Sequence, residues 1–198
     1  MSTQDDGRGW ATIPNLISVV RLLVLTPSFV VVLVGYGSPL LALVLLVVLG
    51  ITDWIDGQIA RRFHQRSAIG AKLDPVADRV SQGVVCIAMT VAGLVPWPIT
   101  LALVGVDLVF LAALIAKRPP NGVPVSRLGR ARTAVLMIAF PLVLLAAALE
   151  DAVPWLLPVT VAIAAIGTLM HVVADLTYTV WVLGGTEAQH RDAHPLVD

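Results

Sequence analysis

Four aspartates within 26 residues are the side chains best suited to chemistry in this chain. Asp53 and Asp56 are three residues apart, and Asp74 and Asp78 are four apart. On two helices joined by a short connection, each pair would lie on one face and both pairs would lie at the same end. Carboxylates so close together require cations, and oxygen ligands suit hard divalent ions such as Mg²⁺ or Mn²⁺. Because two such ions commonly clamp phosphoryl groups during displacement, the pattern indicates phosphoryl chemistry.

The residues between the aspartates fit a phosphorylated ligand. Small residues, Gly57, Ala60 and Gly70, would allow a diphosphate to approach the backbone, and Arg61 offers a planar fork for phosphate oxygens. A purely structural alternative has the aspartates capping helices and pairing with interfacial arginines, and Asp74 before Pro75 does resemble a helix N-cap. Four acids at these spacings favour the metal site.

The surrounding chain is that of an integral membrane protein. Of its 198 residues, 58% are hydrophobic and 13% are charged, about half the charged fraction of a soluble domain. Six apolar runs are each long enough to span a bilayer, which takes about 20 residues. We therefore predict an all-α bundle of six transmembrane helices, at residues 16–35, 40–60, 75–95, 99–116, 131–149 and 155–183.

Lysine and arginine are distributed unevenly among the connections, which predicts the orientation. Connections 61–73 and 117–132 are basic, whereas 35–39, 94–98 and 150–154 contain no Lys or Arg. The positive-inside rule places the basic connections, both termini and the opening of the aspartate site on the cytoplasmic side of the cell membrane. We expect one membrane domain, residues 13–183, between short cytoplasmic segments at 1–12 and 184–198.

Several other classes of protein are disfavoured. The formal net charge of zero argues against a nucleic-acid binder. The single cysteine, Cys86, cannot form an intrachain disulfide and belongs to no Cys/His metal motif. No basic segment or cleavage site precedes the first apolar run, so we expect that run to be retained.

The spacing Asp53-x2-Asp56-Gly57-x2-Ala60-Arg61-x8-Gly70-x3-Asp74-x3-Asp78 resembles, without departure, the signature of the CDP-alcohol phosphotransferase family, also called CDP-alcohol phosphatidyltransferases. The resemblance implies a six-helix membrane bundle, usually a homodimer. It also implies two divalent cations, Mg²⁺ or Mn²⁺, with these ligands: Asp53, Asp56, Asp74 and Asp78. The other signature residues would bind cytidine diphosphate: Gly57, Ala60, Arg61 and Gly70. Asp78 would further act as the general base for an acceptor hydroxyl that displaces CMP.

Residues outside the signature narrow the branch of the family. The segment 13–21, Ile-Pro-Asn-Leu-Ile-Ser-x-x-Arg, resembles phosphatidylglycerophosphate synthases and cardiolipin synthases, and segment 65–70 is closest to eukaryotic-type cardiolipin synthases. The implied donor is CDP-diacylglycerol and the acceptor is of the glycerol type. Three arginines are candidate acceptor ligands: Arg21, Arg130 and Arg132. Arg21 is equally compatible with a snorkelling residue at the interface, and the other two with ordinary cytoplasmic anchors.

The acceptor itself remains open between two compounds. Val106-Asp107 stands where phosphatidylglycerophosphate synthases commonly have an arginine before the acid. Fewer cations would suffice for phosphatidylglycerol, so we favour cardiolipin synthesis, with glycerol 3-phosphate as the alternative acceptor. Two intramembrane acids are further candidates for function: Asp107 to orient Arg130 or Arg132, and Asp175 to pair with His171.

Two other classes of function are considered. An ion-coupled transporter would distribute acids through the membrane thickness and break its helices near mid-bilayer. A catalytically silent relative that only scaffolds lipids or proteins would be expected to lose signature residues.

Overall fold

The computed structural model describes residues 13–62, 70–117 and 127–184, with backbone only at 13–15, 54, 56–62, 70–75 and 127. Within these ranges the chain forms six helical runs and no strand, so the predicted all-helical fold is confirmed. Their bounds are 13–35 for α1, Pro39–Arg62 for α2, Gly70–Val91 for α3, Trp97–Lys117 for α4, Arg127–Ala148 for α5 and Leu156–Leu183 for α6.

The protein is a multi-pass membrane protein by the length and apolarity of its helices. Among the described residues, four helices are long and apolar enough to cross a bilayer: Leu16–Gly35, Trp97–Lys117, Leu128–Ala148 and Leu156–Leu183. Helix α2 contributes a shorter apolar stretch, Pro39–Asp53. The predicted spans at 40–60 and 75–95 fall on α2 and α3, which carry the charged signature, and their crossing of the membrane remains a prediction.

Helix α1 is irregular at the point where Arg21 lies. Its α-helical start, Ile13–Val20, is followed by a π-helical turn, Arg21–Leu25, in which the Thr26 N–H donates to the Arg21 carbonyl. Pro27 lacks an N–H and its ring would crowd a carbonyl of the preceding turn, so the wider π-helical turn relieves that crowding. The sequence predicts a kink at Pro27, and the structure has this π-helical segment immediately before it.

The two short turns between helices depend on glycine conformation. Gly37, between α1 and α2, has φ +61°, and Gly93, between α3 and α4, has φ +79°. These values lie in the left-handed region that L side chains rarely adopt. The two turns therefore allow α1 to reverse into α2, and α3 into α4, within a few residues.

Helix α6 is packed along α5 and α4, while α2 packs on α1 and α5 and α3 packs on α1 and α4. A core formed by side chains from all six helices includes Phe29, Leu49, Met89, Leu103, Phe140 and Ala164. The α5–α6 contact is close at Gly167, where a Cβ would lie 2.9 Å from atoms of both Val135 and Leu136. Small residues at helix crossings allow such close approach in membrane bundles.

Most polar residues of α6 lie on its buried face. Thr160, Gly167, His171 and Asp175 are buried, at spacings of seven, four and four residues that repeat on one side of a helix. The opposite side exposes large apolar side chains: Val159, Ile166, Leu169, Val173, Leu176 and Val180. This arrangement suits a helix with lipid on one side and polar interior contacts on the other.

Candidate active site

Arg21 connects two of the four signature aspartates. Its Nη1 donates to Asp53 Oδ1 on α2, and its Nη2 donates to Asp78 Oδ1 on α3. Arg21 is buried, with 3% of its surface exposed, whereas the two carboxylates are 40% and 49% exposed. A snorkelling residue would keep its guanidinium in water. Arg21 instead holds a positive charge between carboxylates from two different helices.

The convergence of Asp53 and Asp78 follows from the helices that carry them. Both α2 and α3 pack on α1, and α1 presents Arg21 at its π-helical turn. Thr26, one turn further along α1, donates its hydroxyl to the Arg21 carbonyl at 3.0 Å, and the same oxygen lies 3.3 Å from Ser81 Oγ of α3. These contacts fix the backbone of α1 against α3 beside the site.

The remaining signature residues lie on the same two helices, but their side chains are outside the described part of the structure. Helix α2 includes Asp56, Gly57, Ala60 and Arg61, and helix α3 includes Gly70 and Asp74. Their predicted roles, as metal ligands and contacts to cytidine diphosphate, therefore remain predictions.

The donor atoms that are described fit a divalent cation. Asp53 and Asp78 present carboxylate oxygens from two helices toward one positively charged group, Arg21. Oxygen ligands of this kind are those that Mg²⁺ and Mn²⁺ prefer. The two described carboxylates are therefore of the ligand type expected for the predicted ions.

An apolar cavity of about 190 Å³ extends from these carboxylates into the bundle. Arg21, Asp53 and Asp78 line one part of it, together with Ser81 and Gln82. The rest is lined by side chains of α2, α3 and α5: Leu46, Leu49, Val85, Leu136, Met137, Phe140 and Pro141. A ligand with one charged and one apolar part matches this lining.

A second polar cluster, buried between α3, α4, α5 and α6, consists of two arginines, two aspartates and a histidine. Arg79 donates to Asp107 and to Asp175, reaching the latter also through Nη2 at 3.3 Å. Arg132 pairs with Asp175 and lies 2.8 Å from His171 Nδ1. His171 Nε2 lies 3.1 Å from Asp107 Oδ1 and 3.6 Å from Asp175 Oδ2. We call these five residues the buried ionic network.

The network includes ligand types that also occur in metal sites. Atoms of Asp107, His171 and Asp175 lie within 4.8 Å of one another. Both carboxylates, however, already accept from guanidinium groups, and a divalent ion there would lie beside the positive charges of Arg79 and Arg132. Two arginines balance these two carboxylates and leave no excess negative charge, whereas Asp53 and Asp78 share the single Arg21. We therefore interpret the group as an ion-pair network and not as a second metal site.

The structure shows which residues contact the two intramembrane acids, Asp107 and Asp175. Asp175 does lie near His171, as predicted. The prediction for Asp107 was wrong: its partners in the described part of the chain are Arg79 and His171, whereas Arg132 pairs with Asp175. The difference follows from the helix contacts, since α4 packs on α3 and α6, which carry Arg79 and His171.

The two candidate acceptor arginines of α5 lie in different surroundings. Arg132 is buried, with 8% of its surface exposed, and belongs to the network. Arg130 is exposed. Their roles toward an acceptor remain predictions, and the exposed Arg130 is the better placed of the two to meet a ligand from outside the bundle.

Arg79 has a place in the network that the sequence did not indicate, since it is one of the interfacial arginines that the structural alternative would pair with the signature acids. Its guanidinium carbon lies 4.4 Å from the centroid of the Phe110 ring, so an aromatic face of α4 also contacts it. An arginine within the predicted span 75–95, directly after Asp78, was the signal that could have indicated a buried partner.

Fold and site together define a class of protein: an all-helical, multi-pass membrane protein in which carboxylates from two helices meet at an apolar cavity. Within that class, the chain belongs to the CDP-alcohol phosphatidyltransferase family, whose profile matches residues 11–183. The resemblance of the aspartate signature to this family is thereby confirmed.

Named relatives come from both of the predicted branches. A Mycobacterium tuberculosis protein provisionally named a cardiolipin synthase is 38% identical over 136 residues, which cover 68% of this chain and 65% of the relative. A Streptomyces coelicolor protein named cardiolipin synthase (CMP-forming) is 35% identical, with 86% of this chain and 82% of the relative covered. A Salmonella typhimurium CDP-diacylglycerol–glycerol-3-phosphate 3-phosphatidyltransferase is 34% identical, covering 64% of this chain and 73% of the relative. The chain thus spans less than two thirds of the mycobacterial relative.

Proposed function

We propose that this protein is a phosphatidyltransferase of phospholipid synthesis that transfers the phosphatidyl group of CDP-diacylglycerol to phosphatidylglycerol, releasing CMP and forming cardiolipin. The observation that carries the proposal is the meeting of Asp53 and Asp78 at the polar part of an apolar cavity, within a complete family signature. A lipid bearing a diphosphate has the same division into a charged and an apolar part.

Each group of the site has a role in this reaction. The signature aspartates would hold Mg²⁺ or Mn²⁺, which when bound neutralises charge on the diphosphate. Asp78, half exposed, accepts the proton of an acceptor hydroxyl. The hydroxyl oxygen then forms a bond to the phosphorus that bears the lipid, and the bond from that phosphorus to the bridging oxygen of CMP breaks. Arg21 balances the charge of Asp53 and Asp78 and keeps α2 and α3 together.

The choice of acceptor rests on charge. Arg132 is paired with Asp175, and Arg79 with both Asp107 and Asp175, so these interior cations are already neutralised. Phosphatidylglycerol carries a single phosphate charge and needs fewer cations than glycerol 3-phosphate does. The names of the Streptomyces and mycobacterial relatives agree with this choice, while the Salmonella relative supports glycerol 3-phosphate as the alternative acceptor.

The proposal includes the arrangement in the membrane. We infer six spans, a site facing the cytoplasm, cytoplasmic termini and a location in the cell membrane, from the basic connections on one side. A homodimer is part of the proposal by analogy with the family. An ion-coupled transporter is less well supported, because the buried acids Asp107 and Asp175 are paired with arginines and so are not available to bind a transported ion.

The test is a reconstituted assay with separate acceptors. Purified protein in mixed micelles receives CDP-diacylglycerol with phosphatidylglycerol or with glycerol 3-phosphate, each with Mg²⁺, Mn²⁺ or a chelator, and CMP and the lipid product are quantified. We expect CMP and cardiolipin to form when phosphatidylglycerol and a divalent cation are present. Neither product should form when the chelator replaces the cation. Phosphatidylglycerophosphate as the product would select the alternative acceptor. Absence of CMP under all conditions would show that the proposed function is wrong.

A further inference from the structure

Arg79, the residue after the candidate base, connects α3 to two other helices. Its Nη1 donates to Asp107 of α4 and to Asp175 of α6, and its Nη2 lies 3.3 Å from the second oxygen of Asp175. The face of Phe110, also on α4, contacts the guanidinium at 4.4 Å. Because the guanidinium is held at both of its Nη atoms and on one face, it has little freedom to rotate.

The network around Arg79 is electrically balanced as well as buried. Two arginines face two aspartates, and His171 lies between them. The side chain of Asp175 is fully buried, and that of Asp107 is 9% exposed. Removing one ion from such a group leaves its partner buried and unpaired, whereas removing a positive and a negative charge together preserves the balance.

Because Arg79 and Asp78 are neighbours on one helix, fixing the direction of Arg79 also fixes the direction of Asp78. Consecutive residues of an α-helix project about 100° apart, because a turn holds about 3.6 residues. Asp78 points toward Arg21 and the cavity, while Arg79 points toward α4 and α6. When Arg79 is held, the rotation of α3 about its own axis is set, and so is the direction of Asp78.

We propose that Arg79 is a positioning residue for the reaction: with Asp107 and Asp175 it holds α3 at the rotation that aims Asp78 at the acceptor hydroxyl. This inference rests on the proposed function, in which Asp78 is the base. A misplacement of about 1 Å at a reacting group can lower a rate about 100-fold, so a small rotation of α3 is sufficient to matter.

Four variants separate positioning from simple loss of charge or fold. Arg79→Met removes the cation, and Arg79→Lys retains a cation at the same place. The double variant Arg79→Met with Asp107→Asn removes one charge of each sign, so the network stays neutral and the protein folds even where the single variant does not. Lys117→Met is the matched control, since Lys117 is an exposed cation at the end of α4.

The first measurement is steady-state kinetics per folded protein, with folding checked by size-exclusion chromatography. We expect the Arg79→Met and double variants to lose about tenfold or more in kcat while KM for CDP-diacylglycerol changes less than about threefold. Arg79→Lys should recover most of kcat, and Lys117→Met should match the wild type. A double variant with wild-type kcat, or a lysine variant no better than methionine, would overturn the proposal.

The second measurement does not need activity. Hydrogen–deuterium exchange of the first two turns of α3, residues 70–78, should accelerate about tenfold in the double variant relative to Lys117→Met, because that part of the helix is no longer held. Unchanged exchange would refute the anchoring of α3 whether or not the wild type releases CMP. Wild-type protein without CMP release, but with accelerated exchange in the variant, would refute the proposed function and leave Arg79 as the anchor of α3.

Discussion

Arg21 is the residue whose interpretation changes most between sequence and structure. From its position it was compatible with an interfacial cation or an acceptor contact, and the structure places it between Asp53 and Asp78. The two carboxylates both contact one guanidinium, so their like charges are close enough to repel each other. The buried guanidinium of Arg21 offsets this repulsion. Arg21 is therefore part of the site itself, and any acceptor contact would come in addition to these pairings.

At the same scale, Asp78→Asn tests the assigned base. The amide is nearly isosteric but does not accept a proton, so we expect CMP release to fall by about 10²–10⁴-fold, the usual contribution of a positioned general base. Initial rates with saturating acceptor measure this. Asp151→Asn, at an exposed acid outside the site, is the matched control and should keep wild-type activity. Full activity in the Asp78 variant would mean that another group takes the proton.

Among the elements, the α5–α6 pair shows how a small residue sets helix spacing. A Cβ on Gly167 would lie 2.9 Å from Leu136 Cδ2 and from Val135 Cγ1, closer than such atoms approach in proteins. Leu136 is buried and has little room to move. The same pair carries Arg132 on α5 and both His171 and Asp175 on α6, so its spacing also determines whether these network residues meet.

Gly167→Ala is therefore expected to destabilise the protein, and Gly105→Ala is its matched control. Both substitutions gain the same helix propensity, but a Cβ on Gly105 of α4 meets nothing within 4 Å. The difference between the two variants isolates the overpacking, for which we expect about 1–3 kcal/mol. Thermal or denaturant-induced unfolding in detergent measures it. Equal stability of the two variants would show that α5 and α6 can move apart without lowering the free energy of unfolding.

For the whole molecule, orientation depends on connections that lie largely outside the described residues. The basic connections precede α3 and α5, and the connections without Lys or Arg follow α1, α3 and α5. This alternation predicts a cytoplasmic site. The prediction applies to the chain as a whole, because consecutive spans cross the membrane in opposite directions, so the orientation of one span determines that of the others.

Cysteine labelling tests the orientation. In a Cys86→Ala background, Glu150→Cys lies in an exposed turn that is predicted to be outside, and Ser126→Cys lies in a basic connection predicted to be inside. A membrane-impermeant maleimide applied to intact cells should label the Cys at 150 and should label the Cys at 126 only after the membrane is opened. The reverse pattern would place the site on the outer face.

Much of the fold and part of the site were predictable because the relevant information is local. The helices at 16–35 and 99–116 are predominantly apolar runs, and their length and hydropathy predict them. Asp53 and Asp78 lie in the adjoining halves of consecutive helices, so their convergence was predictable, although the contact itself runs through Arg21 of α1. The π-helical turn at Arg21 was not predictable, since it depends on how α1 fits against α2 and α3.

The sequence by itself determined the membrane class, the helical architecture and the family, because composition, run length and the spacing of the signature are properties of a single chain. Only the tertiary structure decided the partners of Arg79, which lie 28 and 96 residues away at Asp107 and Asp175. Helical periodicity shows which face of a helix is polar but not which other helix that face meets. In a bundle of similar apolar helices, side-chain packing makes that choice, and here it joins α3 to α4 and α6.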